Sequence, residues 1–503
     1  MTTMLDTATP TTRSSRGIRT RSFVAPGLVG LLGLAISLAA IGTPSIWYDE
    51  AASIVSATRS WTQLGDMVAN VDLVHAAYYA MLHVLFDIVG YSPVSLRAPS
   101  AVAVGAAAAL TVVLGRVLDR PRLGIVGGIV FCLLPRVTWA GTEGRSYALT
   151  AALAVLLTVV LVLASRSQRR SLWVLYAALV VLSCVVFVYL ALVVAAHAVT
   201  MAIWFASSRS RAWPPAARWV RWTALATAIV TPFAIGVIRQ SGQLAWIKTP
   251  GGNTVRDVFE TQWFFTSPQF AVVGWTLIVV GAALLLRSPR GLSPASVLIP
   301  ALILPTAALL VVSAALTPIY TPRYLTMCAP FVALLMAAAI ERMRPRPLVA
   351  GALLALAVLA LPQIIAQRQP EAKENASWAA VADLIQTQRT LAGPDSSTAI
   401  VYGSVQGHPI ASSRVIAYAY PRAFAGTVDV TLDTPAAETG ELWETRIPLI
   451  DGLPRLANAD VVYLITSVSR DARPATADTL RTAGWHETAS WSLTSVNVVR
   501  YER

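Results

Sequence analysis

The sequence runs to 503 residues, 55% hydrophobic and only 13% charged, with a mean hydropathy of +0.61. A soluble globular chain carries roughly 25% charged residues, so the composition excludes that class and indicates a polytopic membrane protein. The net charge of +13 does not make it a nucleic-acid binder: residues 1–366 hold 27 Lys and Arg against 11 Asp and Glu, while residues 367–503 hold 12 against 15. The basic excess lies between apolar runs, where membrane topology accounts for it, and no nucleic-acid recognition module accompanies it.

The chain opens on "MTTMLDTATPTTRSSRGIRTRS", a polar, basic stretch read as a cytoplasmic tail over residues 1–22. No cleavable signal is evident, and the first apolar run reads as a retained anchor. Apolar runs near the length of a membrane-crossing helix follow at 24–46, 97–118, 123–139, 147–164, 171–188, 190–206, 221–238, 270–286, 293–315, 325–340 and 347–366. Six basic clusters alternate with them: Arg13, Arg16, Arg19 and Arg21; Arg116, Arg120 and Arg122; Arg166, Arg169 and Arg170; Arg209, Arg211, Arg218 and Arg221; Arg287 and Arg290; Arg342, Arg344 and Arg346. The intervening loops hold only Arg59, Arg97, Arg145, Arg239, Lys248, Arg256 and Arg323.

All six clusters share one face only if a further run, 74–90, does not cross. In "HAAYYAMLHVLFDIVG", His75, Tyr79, His83 and Asp87 recur every fourth residue and make one polar stripe. Such a helix suits the membrane interface, and residues 51–68, with Ile54, Trp61, Leu64 and Val68 on one face, read similarly. The expected fold is therefore a polytopic α-helical membrane domain over residues 23–366. It has about eleven spans, a cytoplasmic N-terminus and two interfacial helices in a long first outer loop. Asp49, Glu50, Asp66, Asp72, Glu143, Asp257 and Glu260 then fall on the outer face, and Asp6, Asp119 and Glu341 on the inner one.

Residues 367–503 alternate between two patterns. "WAAVADLIQTQ" and "ATADTLRTAG" read as helices, the second ended by Gly484; "STAIVYGS", "ADVVYLITS" and "WSLTSVNVVRYE" read as strands. This alternation predicts a small extracytoplasmic α/β domain. Cys132, Cys184 and Cys328 all lie in apolar runs, so this domain has neither a disulfide nor a thiolate metal site.

Five stretches could carry chemistry. "WYDEAAS" puts Asp49 and Glu50 where the first span ends; a carboxylate there can take a proton from an incoming hydroxyl, and the same position suits a cap on a helix starting near Ala51. "VDLVHAAYY" offers Asp72, His75, Tyr78 and Tyr79, but His75 and His83 are two turns apart, too far to share a metal directly. "GTEGRSYAL" places Glu143 and Arg145 in a short loop, with Tyr147 opening the next span. They could simply pair with each other, but the Arg fork also suits phosphate. "TPIYTPRYLTMCAP" sets Arg323 beside Tyr324 as a lone cation at the membrane edge, suited to a lipid phosphate or to headgroups generally. Residues 239–269 mix charges with Trp246, Trp263, Phe264 and Phe265, as a sugar platform, an interfacial lid or an aromatic belt would.

"WYDEAAS", "HAAYYAMLHVLFDIVGYSPVSLRAPSAV", "EGRSYAL" and "TPRYL" together resemble the GT-C superfamily of membrane glycosyltransferases. The nearest branch is the family-39-like group of protein O-mannosyltransferases and lipid-A aminoarabinose transferases. The resemblance covers about the first 340 residues. It implies a sugar taken from a polyprenyl-phosphate donor, with inversion, at the outer face of the cytoplasmic membrane. Asp49 matches the family's loop acid and would be the general base, with Glu50 orienting it or the acceptor. His75 matches the residue opening the "HPPLYY"-like motif, although "HAAYY" lacks its two prolines, and with Tyr79 it would lie near the sugar. Glu143, Arg145 and Tyr147 match an "EARxY"-like element, Arg323 and Tyr324 an "RYL" element, and the arginines would hold the departing phosphate.

The expected function is transfer of a sugar to a lipid, glycan or protein acceptor of the cell envelope. An Ala-, Arg- and Val-rich composition favours a high-GC bacterium with a glycan-rich envelope, and hence mannose, with arabinose as the alternative sugar. No cofactor and no essential metal are expected. The competing reading is a transporter or flippase of a lipid-linked sugar, which would carry charges near the bilayer midplane and repeated halves. A membrane scaffold with an outer recognition domain would have no need of Asp49.

Overall fold

The structure is a computed structural model describing residues 23–287 and 291–503. The basic tail with Asp6, Arg13, Arg16, Arg19 and Arg21, and also Arg290, lie outside the described residues. In chain order the helices of the bundle are α1 (Val24–Leu38), α2 (Tyr48–Ala57), α3 (Trp61–Asn70), α4 (Ala76–Val89), α5 (Pro93–Val117), α6 (Pro121–Leu133), α7 (Pro135–Ala140), α8 (Tyr147–Ser165), α9 (Arg170–Val186), α10 (Ala191–Ser207), α11 (Arg209–Arg239), α12 (Pro268–Leu286), α13 (Pro294–Ala315), α14 (Ala329–Ile340) and α15 (Pro347–Ala366).

Among the described residues eight helical segments are long and apolar enough to cross a membrane: α5, α8, α11, α12, α13, α15, α10 with the turn before it, and α14 with the turn from Pro322. The other three expected runs form the shorter apolar helices α1, α6 and α9. Each is cut short for a local reason. The run from 24 breaks at Ala40, whose φ of 53° is left-handed. The run from 123 breaks at Pro135, which cannot donate to a helix it would continue. The run from 171 ends at Phe187, which is extended.

Helix α5 is the hub, packed against α1, α6 and α8. Its crossing with α1 is close because glycines face each other: a Cβ on Gly30 would lie 3.0 Å from the Gly105 carbonyl oxygen. Small residues at the seam let the backbones approach without a hydrophobic drive from lipid. The basic clusters among the described residues gather at one end of this bundle, where Arg166 pairs with Asp119 at 2.7 Å and Arg120 pairs with Glu341. Asp49, Glu50 and Glu143 sit at the other end. The 74–90 segment forms α4, and its polar stripe is not wet along its length. Tyr79 is fully buried, and His83 packs inward with Nδ1 3.0 Å from the Ala57 carbonyl oxygen. Only Asp87 of the stripe is well exposed.

The C-terminal region contains α16 (Trp378–Ala392), α17 (Val415–Ala419) and α18 (Arg473–Thr482) around a five-stranded sheet. Strands β1 (Thr398–Tyr402), β2 (Ser404–Val405), β3 (His408–Ser412), β4 (Val428–Asp429), β5 (Val461–Ser467), β6 (His486–Ser492) and β7 (Val496–Glu502) follow in sequence. The sheet order is β4-β1-β5-β7-β6, parallel through its first three members and antiparallel through the rest; β2 and β3 form a separate hairpin. Alternation along β1 sends Ala399 and Val401 to a core with Leu480 and Trp485, and Ile400 and Tyr402 to the core that continues into the bundle. "WSLTSVNVVRYE" is two strands, not one. The chain reverses at 493–495, where the Leu493 N–H donates to the Val496 carbonyl at 2.9 Å, and no Gly or Asn marks that turn in the sequence.

The C-terminal region is seated on α2 and α3. Arg59 donates to the Ala436 carbonyl at 2.6 Å, Trp443 Nε1 to the Tyr48 hydroxyl at 2.9 Å, and Tyr91 to the Ala419 carbonyl at 2.7 Å.

Candidate active site

The two adjacent acids at the start of α2 point apart, because neighbouring positions on a helix differ by about 100°. Helix α2 starts at Tyr48 and its N-cap is Trp47, so Asp49 lies inside the first turn and its side chain caps nothing.

Asp49 faces two arginines. Its Oδ2 lies 3.2 Å from Arg323 Nη1 and its Oδ1 3.8 Å from Arg145 Nη2. Burial alone would raise this carboxyl, but the Arg323 and then the Arg145 guanidinium hold it below the usual carboxylate range. One carboxylate between two guanidiniums leaves a surplus positive charge. Both arginines also keep a buried Nε without a hydrogen-bond partner, an uncommon state for a buried donor. Arg145 donates through Nη1 to the Tyr79 hydroxyl at 2.9 Å, and Tyr79 donates to Asp72 Oδ2 at 2.8 Å. Arg323 lies over the Trp246 ring, 5.0 Å from its centroid.

His75 ends the short turn before α4. Its Nδ1 is buried without a partner. Burial first, and then Arg145, push the imidazole down to about 4, so it is neutral near pH 7. It stacks on Phe187 at 6.5 Å between ring centroids. Tyr147 and Tyr324 do not reach Asp49 through any hydrogen bond or ion pair. They form an aromatic wall with Phe187, Tyr189 and Trp139: Tyr324 stacks on Tyr189 at 5.2 Å, and Tyr147 on Trp139 at 5.6 Å.

Glu50 and Glu143 have a different environment from the one their motifs suggest. Neither is exposed to solvent. Arg97 grips Glu50 with both ends of its fork, at 2.8 and 2.6 Å, the Gly144 N–H donates to Oε1 at 2.9 Å, and Lys373 adds a fourth bond at 2.8 Å. Glu143 does not pair with Arg145. Its Oε1 accepts from Lys373 at 2.6 Å and its Oε2 from Trp47 Nε1 at 3.1 Å. Both acids are committed to a buried network of two carboxylates and two cations, with no oxygen left for a ligand. In place of the roles their motifs suggest, orienting Asp49 or the acceptor for Glu50 and binding substrate for Glu143, the bonds that these two acids make tie together the loops that carry Asp49 and Arg145.

Sequence reasoning missed Lys373 and the clasp made by Arg97. One signal was available: this arginine-rich chain has just two lysines, Lys248 and Lys373. It also missed His408, from the β2–β3 hairpin, whose ring lies flat on Tyr48 with centroids 3.4 Å apart. The 239–269 loop divides: Trp263 and Phe264 are buried, Phe265 stacks against Arg136 at 4.9 Å, and Trp246 alone leans toward Arg323. Among the described residues, no three His, Cys, Asp or Glu side chains come together as metal ligands.

No family model matches the sequence, and no curated protein matches it significantly. Solved structures do match. ArnT from Cupriavidus metallidurans bound to undecaprenyl phosphate superposes with a TM-score of 0.59 at 13% identity, over 94% of this chain and 97% of that one. The apo state of the same protein gives 0.60 at 13% identity, with the same coverage. The apo oligosaccharyltransferase of Archaeoglobus fulgidus gives 0.50 at 10% identity, over 89% of this chain and 69% of that one. This chain is a multi-pass membrane protein, and it shares the fold of ArnT over nearly its whole length.

Proposed function

We propose that the protein transfers a sugar from a polyprenyl-phosphate donor to a hydroxyl of a cell-envelope acceptor, at the bundle end that carries the C-terminal region. The observation that carries this reading is Asp49 held between Arg145 and Arg323: a base and a cationic surplus meet at one point. ArnT, whose fold matches over nearly the whole chain, has been crystallised with undecaprenyl phosphate.

In this reading the donor phosphate takes over guanidinium N–H groups that now serve Asp49. The freed carboxylate accepts the proton of the acceptor hydroxyl as that oxygen bonds to the anomeric carbon. The bond from that carbon to the phosphate oxygen breaks, and polyprenyl phosphate leaves with its charge offset by the arginines. Attack opposite the leaving group inverts the anomeric centre. The wall of Tyr147, Tyr324 and Phe187 flanks the lipid-proximal side, and neutral His75, with its free Nδ1, and Tyr79 serve the sugar. Glu50 positions Asp49 without touching substrate. Two arginines supply the charge compensation that a divalent cation would otherwise give, so transfer is proposed to need no metal.

The Ala-, Arg- and Val-rich composition supports mannose as the sugar, with an arabinose-type sugar as the alternative that the motif resemblance equally allows. The distribution of basic clusters supports a cytoplasmic N-terminus, and an outer location in the cytoplasmic membrane for both the site and residues 367–503. A flippase would place its charges near the midplane, whereas here they collect at one end.

The test is release of undecaprenyl phosphate from undecaprenyl-phosphate mannose by the purified protein in liposomes supplied with envelope glycolipids. Release that Asp49→Asn abolishes supports the reading. Passage of the intact donor between leaflets without release overturns it.

A further inference from the structure

Beyond the loops that bear Asp49 and Arg145, residues 367–377 form a strap that runs from the end of α15 back into the bundle. Gln367 donates to the Pro135 carbonyl at 3.0 Å, and Arg368 to the Ile36 carbonyl at 2.9 Å. The Ser45 N–H donates to the Pro370 carbonyl at 2.7 Å. The strap then turns sharply through Glu374 and Asn375, both left-handed, into α16.

At its centre Lys373 spends all three ammonium protons. They go to Glu50 Oε1 at 2.8 Å, the Thr142 carbonyl at 2.6 Å and Glu143 Oε1 at 2.6 Å. Glu50 is the neighbour of Asp49, and Thr142 and Glu143 belong to the short loop that carries Arg145. Glu50 Oε1 also accepts from Gly144, and Ser53 of α2 donates to the Gly144 carbonyl at 2.8 Å. Trp47 Nε1 adds a further bond between the two segments, to Glu143 Oε2 at 3.1 Å, and among these links Lys373 is the one that joins both acids to each other, beside the 3.8 Å contact of Asp49 with Arg145.

We infer that Lys373 is a positioning residue that sets the separation of Asp49 from Arg145, so that the strap leading into the C-terminal region is a working part of the active site. This rests on the function proposed above. A point charge with three rotatable donors suits three acceptors on two loops; the planar fork of an arginine does not. The C-terminal region is accordingly not a detachable acceptor module.

The experiment is a double-mutant cycle on the full chain in detergent micelles, with undecaprenyl phosphate as the probe and its dissociation constant as the readout. Lys373→Met is expected to weaken binding at least tenfold in the wild-type background, about 1.4 kcal/mol, and less than twofold on top of Arg145→Gln. A merely structural loosening would weaken both backgrounds alike. If Lys373→Met fails to fold, the pair Lys373→Met with Glu143→Gln keeps the buried network neutral and enters the same cycle, with the same expectation. Wild-type affinity in the Lys373 variant, or equal losses in both backgrounds, overturns the inference while the proposed function stands. Wild-type affinity in Arg145→Gln overturns both.

Discussion

Replacing Asp49 with Asn should separate donor binding from transfer. The substitution keeps the side chain's size and removes one charge. That charge lies 3.2 Å from Arg323 and 3.8 Å from Arg145, interactions worth about 5 and about 4 kcal/mol at an effective dielectric of 20. A donor phosphate must compete for the same guanidiniums. If it displaces even a third of the Arg323 interaction, the competition costs about 1.5 kcal/mol, roughly tenfold in affinity. Asp49→Asn should therefore bind undecaprenyl phosphate several-fold more tightly than wild type. Loss of the base should slow sugar transfer by about 10²- to 10⁴-fold. Equilibrium binding in micelles and single-turnover transfer in liposomes measure the two effects. Transfer at the wild-type rate would refute Asp49 as the base. Weaker lipid-phosphate binding would refute the competition that assigns the arginines to the phosphate.

Arg97→Met should leave Glu50 buried with half its partners, at a cost of about 3–5 kcal/mol, read as a large fall in thermal stability in micelles; an unchanged unfolding temperature would show that the clasp carries little. Burial, then Arg145, lower His75 to about 4, against about 6.5 in the unfolded chain. A lowered histidine favours the neutral form, so its contribution to stability is present above pH 6.5 and declines as pH falls toward 4. His75→Gln should flatten the fall in unfolding temperature over that window, and identical slopes would contradict the assignment. Asp49, held low by its arginines, should stay ionised throughout the same window. Transfer should survive treatment with a strong chelator; loss that added divalent cation restores would show that the arginines are not sufficient.

The fold was legible because a bilayer imposes coarse rules. Apolar length marked the helices of the bundle, and the arginine clusters imply an alternation in which 74–90 stays in the interface; in the structure Leu73–Val89 is a short apolar helix like α1, α6 and α9. Asp49, Arg145 and Arg323 were legible as charges at the ends of spans, and the structure brings those three into one contact. Their neighbours were misread because sequence adjacency says nothing about direction on a helix: Asp49 and Glu50 look like one acidic pair, yet one turns to Arg323 and Arg145 and the other to Arg97 and Lys373. Glu143 beside Arg145 looked like a local ion pair, but each finds its partner on another loop.

The partner that both buried acids share, Lys373, lies after the last span, far along the chain and in a segment with no periodicity. Hydropathy cannot locate it, because burial of a charge is decided by what surrounds it rather than by its own preference. Two buried carboxylates do imply cations that must come from elsewhere, since a buried acid without one would be prohibitively unstable. Arg97 supplies one such cation and the strap supplies the other. The need for that second cation gives a physical reason for the C-terminal region to be held against α2 and not to hang free.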